Sequence, residues 1–403
     1  MKLISLLAAL LALAPLATAT EIVVPDDQPN LQAAIAAAVP GDVIRIRTTT
    51  DQASHTWPYT TVIDKPLTII GEPVFNFGVT SSGPFGIELS GPGHGEVTIV
   101  GLKLHNIAGD DGGTPTLSGG GFHTLNLISS SIDHDNCACS GLISHSFPAV
   151  ELASVERLIV VDSYLRGGPA GSDSFCIPAQ SYTNGSNAIL APTTSVLLLD
   201  SIIEGGRGSY GKEVTYEPCS SPVAQWGGRG GHGVEAANVH SINSLVTGGM
   251  GTTWFSDPFC VGIEERCGSM PDGEPFVVTR SLTSSLCSRL TQASATPSIG
   301  GNLELTWDPT TPGCQPDLTG LAGSIGLIAI DLSSPVWPIP YGSSWLFIDP
   351  NRAIVTTAIP VDHNLLIKVV IPKIPSLVGM PYTAQVLIGP TEISGPAIGR
   401  ITP

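Results

Sequence analysis

The chain has 403 residues, among them 46 glycines and 34 prolines, and a formal net charge of −17. Only 17 lysines and arginines stand against 34 carboxylates, which excludes a surface for nucleic acid or anionic lipid, because like charge repels both. A hydrophobic share of 42% excludes a disordered chain, and 13% charged with 6% aromatic residues fits a turn-dense all-β protein.

Residues 1–19 read as a secretory signal, with Lys2 as the charged start, Leu3 to Leu13 as the apolar run and Ala17-Thr18-Ala19 as the cleavage site. The apolar run is too short to span a bilayer. A secreted or cell-surface protein without membrane insertion, cleaved near Ala19, is therefore expected. Glu21 to Val24 reads as a strand. Asn30 is the N-cap of a predicted helix over Leu31 to Val39, whose Leu31, Ala34, Ile35 and Ala38 recur at helical spacing. Pro40-Gly41-Asp42 then turns the chain into the strand Val43 to Ile46.

Leu67 to Gly71 and Val97 to Gly101 are two further short apolar runs ended by glycine. From Val150 to Gly249 one pattern occurs three times. An apolar run ends in a polar residue and a serine, and a glycine pair follows four residues on: Ser163 with Gly167-Gly168, Ser201 with Gly205-Gly206, Ser244 with Gly248-Gly249. Extended both ways, the ladder takes in Ser131 and Ser281, and the polar positions before it are Ser130, Asp162, Asp200, Asn243 and Arg280. Self-similarity at a nearly fixed period, with insertions at one place, predicts a solenoid of short strands, because one unit alone cannot bury its apolar face. The insertions 169–186, 207–231 and 250–274 all follow a glycine pair, so all are expected on one side.

The stretch NLQAAIAAAVPGDVIRI resembles the entry cap of right-handed parallel β-helix proteins of the pectate-lyase-like fold. With the runs above, the resemblance covers residues 21–290. It implies an all-β fold: a right-handed parallel β-helix with an N-terminal capping helix and a C-terminal antiparallel β-domain. It implies no single activity, since lyases, hydrolases and adhesins share the coil. The expected division is a coil over 20–290, a linker over 291–319 and the antiparallel domain over 320–403. In the last, Trp345 to Ile348, Ala353 to Ile359, Leu365 to Ile371 and Tyr382 to Ile388 read as strands. The segment IPKIPSLVGMPYTAQVLI resembles a small β-domain of some exported bacterial proteins.

Eight cysteines in an exported chain point to disulfides. Cys176 and Cys219 fall in adjacent insertions, Cys260 and Cys267 share one, and Cys287 and Cys314 bracket the linker. Bonds Cys176–Cys219 and Cys260–Cys267 are expected. Cys137-Ala138-Cys139, near His134 and His145, is the alternative thiolate metal site. Ile132-Asp133-His134 resembles part of the pectate lyase signature, which implies Ca2+ held by Asp133 and Asp135 with Asp110 and Asp111. The tryptophan before it and the family's arginine motif are missing. Gly93-His94-Gly95 and Gly231-His232-Gly233 resemble the polygalacturonase motif, without its aspartate pair or its R-I-K.

The insertions hold Phe175, Tyr182, Tyr210, Tyr216, Trp226, Trp254 and Phe255. Tyr210, Trp226 and Trp254 are candidate rings for stacking on sugar faces, with Arg207 and Arg229, and Arg166 nearby, to bind hydroxyls or carboxylates. Asn184-Gly185-Ser186 is a glycosylation sequon. Two functions follow: a non-catalytic glycan-binding, adhesion or structural scaffold, or a polysaccharide-active enzyme, either a calcium-dependent lyase or a glycoside hydrolase. The partner in both is a polysaccharide or cell-surface polymer. The insertion corner discriminates: an open groove lined by carboxylates and arginine favours the enzyme, a closed glycine-rich wall the scaffold.

Overall fold

A computed structural model describes residues 20–47, 60–78, 86–108, 115–136, 146–170, 184–208, 228–251, 273–284, 290–292, 297–310, 325–332, 337, 339–341, 344–374, 377–388 and 392–402. The signal segment and all eight cysteines lie outside the described residues, and with them every disulfide expectation.

The coil has three faces of parallel strands. On the first, Thr60–Ile63 pairs with Gly86–Ser90, which pairs with the start of Leu117–Ile128, and Val150–Val161, Ile189–Leu199, Val234–Ile242 and Phe276–Ser284 continue the stack. On the second, Glu21–Val24 pairs with Val43–Ile46, then with the start of Thr68–Gly78 and of Glu96–Ala108, and then with the second halves of the same long strands. The third carries the end of Glu96–Ala108, then Ser131–Asn136, Tyr164–Arg166, Ile202–Glu204 and Leu245–Thr247. A parallel β-helix with a capping helix is thus what the chain forms. The helix runs Leu31–Ala37, two residues shorter than expected. Asn30 Oδ1 accepts from the Ala33 amide at 2.9 Å, and Leu31, Ala34 and Ile35 are buried over the end of the coil.

The apolar runs do not alternate, and the reason is burial on both sides. In Val150–Val161, Leu158 and Val160 point into the coil, while Ile159 and Val161 point out and are equally buried. In the next rung Val196 and Leu198 point in, Leu197 and Leu199 out. The outward set is covered by Phe347, Trp337, Trp345, Met380 and Ile398 of the antiparallel part. That part comprises separate sheets that nonetheless share this apolar layer with the coil. Gln385 ties Phe347 in place: its Oε1 accepts from the Phe347 amide at 2.8 Å and its Nε2 donates to the Trp345 and Ser394 carbonyls.

The antiparallel part begins earlier than the expected boundary. Asn302–Trp307, inside the stretch read as linker, pairs with Leu365–Val370 on one side and Leu290–Gln292 on the other. Its alternating Leu303, Leu305 and Trp307 are buried, and the Trp307 indole donates to the Val361 carbonyl at 3.2 Å. A second sheet holds Ile354–Pro360, Ile325–Asp331, Pro381–Ile388, Glu392–Ile393 and Ala397–Arg400.

The serine ladder exists, with two corrections. Register places Ser130, not Ser131, beside Ser163, because Ile128 pairs with Val161. Ser281 pairs with Val239 rather than Ser244, since the strand stays paired through Thr283 and Ser284. Ser163, Ser201 and Ser244 each close their own turn and receive their neighbour. The Ser163 hydroxyl donates to the Val161 carbonyl at 2.7 Å and accepts the Ser130 amide at 3.1 Å; Ser201 does the same with Leu199 and the Ser163 amide at 3.2 Å. Ser244 accepts the Ser201 amide at 3.0 Å. Ser163→Ala would leave the buried Ser130 amide without its acceptor. The expected cost is about 1–3 kcal/mol, read from a chemical-denaturation midpoint that shifts without a change in slope.

Candidate functional site

The residue before each ladder serine turns the corner between the second and third faces in the left-handed region: Ser129, Asp162, Asp200 and Asn243 have φ of 46°, 44°, 47° and 51°. Asparagine and aspartate tolerate this conformation better than most residues. Their side chains therefore stack outward along one line. Ser129 donates to Asp162 Oδ2 at 3.0 Å, and Asn243 donates to the Asp200 carboxylate. One rung earlier the same position is Gly101, with φ of 68°. A side chain there would collide with Arg400, whose guanidinium lies 2.1 Å from where the Cβ would sit. Arg400, from the last strand of the chain, thus stands over the one corner left bare for it.

The result is an open groove of about 310 Å3 lined by Gly101, Lys103, Ser129, Ser130, Ser131, Asp162, Ser163, Tyr164, Asp200, Ile202 and Arg400. Among the described residues, no hydrogen bond or ion pair involves the Lys103 ammonium or the Arg400 guanidinium. The Tyr164 phenol donates to Glu204 Oε2 at 2.8 Å. Partial burial, and then the Glu204 carboxylate, push its pKa up to about 12, so it stays protonated and acts as a donor rather than a base.

The Asp200 carboxyl is raised above the usual carboxylate range. Loss of water around it is the largest cause, Asn243 opposes the shift and the Asp162 charge adds to it. A raised folded pKa means stability that is present below about pH 4, the unfolded value, and lost as pH rises through the folded value. Asp200→Asn keeps a residue suited to the corner and removes the charge. It is expected to raise the melting temperature by a few degrees at pH 7 and by nothing near pH 3, checked by calorimetry across that range.

A second feature is the corner that bears the insertions. Segments leaving the coil after the glycine pairs and segments returning to it alternate in one hydrogen-bonded layer. The Ser186 amide donates to Gly168 O, Gly206 to Ser186 O, Gly231 to Gly206 O, Gly249 to Gly231 O and Gly273 to Gly249 O, at 2.7–3.0 Å. Outgoing and returning chains thus interleave, and apart from Ser186 the positions bonded in this layer are glycines. A Cβ on Gly206 would lie 1.9 Å from Gly168 O, one on Gly231 2.0 Å from Ser186 O, and one on Gly249 1.9 Å from Gly206 O. Among the described residues the corner is a glycine wall.

The candidates named from the sequence are scattered across these surfaces. Arg207 and Arg229 are exposed on the glycine wall; their carbonyls accept from Ala170 and Gly185. Tyr210, Trp226 and Trp254 lie outside the described residues. Asp133 is on the third face, with Arg166 Nη1 4.0 Å from its Oδ1. Asp135 is in the same strand, its side chain outside the described set, as are Asp110 and Asp111. Among the described residues no group of three or more histidines, cysteines or carboxylates is placed to hold a metal ion. His232 is structural: its Nδ1 accepts from the Glu274 amide at 2.9 Å and its own amide donates to Asn187 Oδ1.

Protein-family models, curated proteins and solved structures were compared with this chain, and none matches. The site rests on its geometry alone. Asp162 and Asp200 were visible as ladder positions; Lys103, Tyr164 and Arg400 were not singled out. Nothing local marks Arg400, because its place over Gly101 depends on how the last strand docks.

Proposed function

We propose that the chain is a secreted or cell-surface scaffold without catalytic activity, which presents the 169–186, 207–231 and 250–274 insertions to an extended glycan or surface polymer. The observation that carries this reading is the glycine wall. All three insertions leave from and return to one interleaved layer, which holds their ends at fixed spacing. Catalysis would require an acid and a base positioned on a bound chain. Tyr210, Trp226, Trp254, Arg207 and Arg229 are the contact residues in this reading. Pre-organised ends lower the ordering cost of binding, which suits multivalent attachment.

The test is a glycan array with a parallel assay for unsaturated uronate release, each with and without Ca2+, on the full chain and on Trp226→Ala and Trp254→Ala. Binding that falls about tenfold or more in the variants, with no product released, is the expected result. Calcium-dependent release of product would replace the scaffold with a lyase and make Asp133 and Asp135 metal ligands. Binding indifferent to both substitutions would remove the aromatic contacts.

A further inference from the structure

The groove at the second corner is a different surface from the insertion wall, and its charges are ordered along the coil. At the Gly101 rung stand Lys103 and Arg400, neither in an ion pair among the described residues. The next rung offers Ser129, Ser130 and Ser131, with the Ser129 hydroxyl donating to Asp162. The two after it bring Asp162 and then Asp200, on adjacent rungs. The flanking charges on the third face are taken up locally: Arg166 lies beside Asp133, and Glu204 accepts from Tyr164.

Adjacent parallel strands lie about 4.8 Å apart, so the cationic end and Asp162 are separated by roughly 10 Å along the groove, with Asp200 one step further. Beside Asp162 stands the ring of Tyr164, held by its bond to Glu204, and beside Asp200 stands Ile202, which is 43% exposed despite being apolar. A ligand that answers every part of this lining carries an anionic group at one end, an ammonium at the other and an apolar stem between.

We infer that the groove binds an extended ω-amino acid, with its carboxylate between Lys103 and Arg400 and its ammonium against Asp162 and Asp200. The stem crosses the Ser129–Ser131 rung to the edge of the Tyr164 ring, and Ile202 flanks the far end. A six-carbon ω-amino acid with a hydrogen bond of about 2.9 Å at each end covers the gap between the two poles. Charge-assisted bonds at both ends make each pole discriminating, because removing either group leaves a charge facing nothing. The same chemistry is carried by a free ω-amino acid and by the C-terminal lysine of a polypeptide. The cationic pole depends on Arg400, so the site is complete only with the antiparallel part seated on the coil.

The experiment is calorimetric titration of the full chain with 6-aminohexanoate, hexanoate and hexylamine. The first is expected to bind at least about tenfold more tightly than either single-charge analogue. In Arg400→Gln it should bind no better than hexylamine, and in the double variant Asp162→Asn, Asp200→Asn no better than hexanoate. These opposite changes in preference cannot come from a loss of fold, and thermal melts of each variant accompany them. Absence of 6-aminohexanoate binding to the unaltered chain, equal affinity for all three compounds, or a preference that survives in both variants would overturn the inference. A peptide ending in lysine, against the same peptide amidated, distinguishes the sources. Selective binding of the free acid identifies a polypeptide end, whereas binding of 6-aminohexanoate with neither peptide identifies a small molecule. Neither result depends on the insertions, so it stands whether or not the glycan reading does.

Discussion

Gly206→Ala is expected to destabilise the coil by about 3 kcal/mol or more, which is the upper range for overpacking. The added Cβ would stand 1.9 Å from the Gly168 carbonyl oxygen and 2.6 Å from its carbon. Both are backbone atoms, pinned because the same oxygen accepts from the Ser186 amide. A flexible side chain could yield; a hydrogen-bonded strand in an interleaved layer cannot without breaking the chain of bonds from Gly168 to Gly273. Gly249→Ala should behave alike, with Gly206 O at 1.9 Å. Gly93→Ala is the control. Its φ is 86°, but nothing lies within 4 Å of the added carbon, so only backbone strain of about 1–2 kcal/mol is expected. Denaturant unfolding of the three variants checks the order. Equal losses in all of them would mean that the wall is not packed as described.

Phe347→Ala should cost about 3–5 kcal/mol and act on the joint rather than on either part. Phe347 is fully buried against the outward row of Ile159, Val161, Leu197 and Leu199. Removing its ring opens a cavity between coil and sheet, where no neighbour from the coil can follow without leaving its rung. A polar contact across the seam is made by Arg45, itself buried and paired with Glu21, which donates from Nη1 to the Val378 carbonyl at 2.6 Å. The variant should bind a hydrophobic dye and be cut between coil and antiparallel part by a protease at concentrations the unaltered chain resists. Because the same seam seats Arg400, 6-aminohexanoate affinity should fall in parallel, while the variant Ser163→Ala, which lies within the coil, should not admit the protease at the joint.

How much was legible differs by element. The helix over Leu31 was readable because its cap and its apolar spacing are local facts about consecutive residues. The rungs around Asp162-Ser163 and Asp200-Ser201 were readable because both repeat the same apolar run, corner pair and glycine pair. The ladder failed at its ends for a physical reason. Ser129, Ser130 and Ser131 are chemically alike, so only strand register shows which of them meets Ser163. At Ser281 a polar strand imitates a corner. Asn302 to Trp307 was read as linker because a short alternating strand between turns looks polar until its partners Leu290–Gln292 and Leu365–Val370 are known.

The sequence by itself determined the repeat, the strand class of each run and the place of the glycine pairs, because these follow from residue-scale propensity and periodicity. Only the tertiary structure decided that the outward faces of Ile159 and Leu197 are also covered, that the glycines of outgoing and returning chains interdigitate, and that Arg400 stands over Gly101. Each of these joins residues from separate rungs or from opposite ends of the chain. Their contact is set by stacking and docking, which leave no trace in local composition.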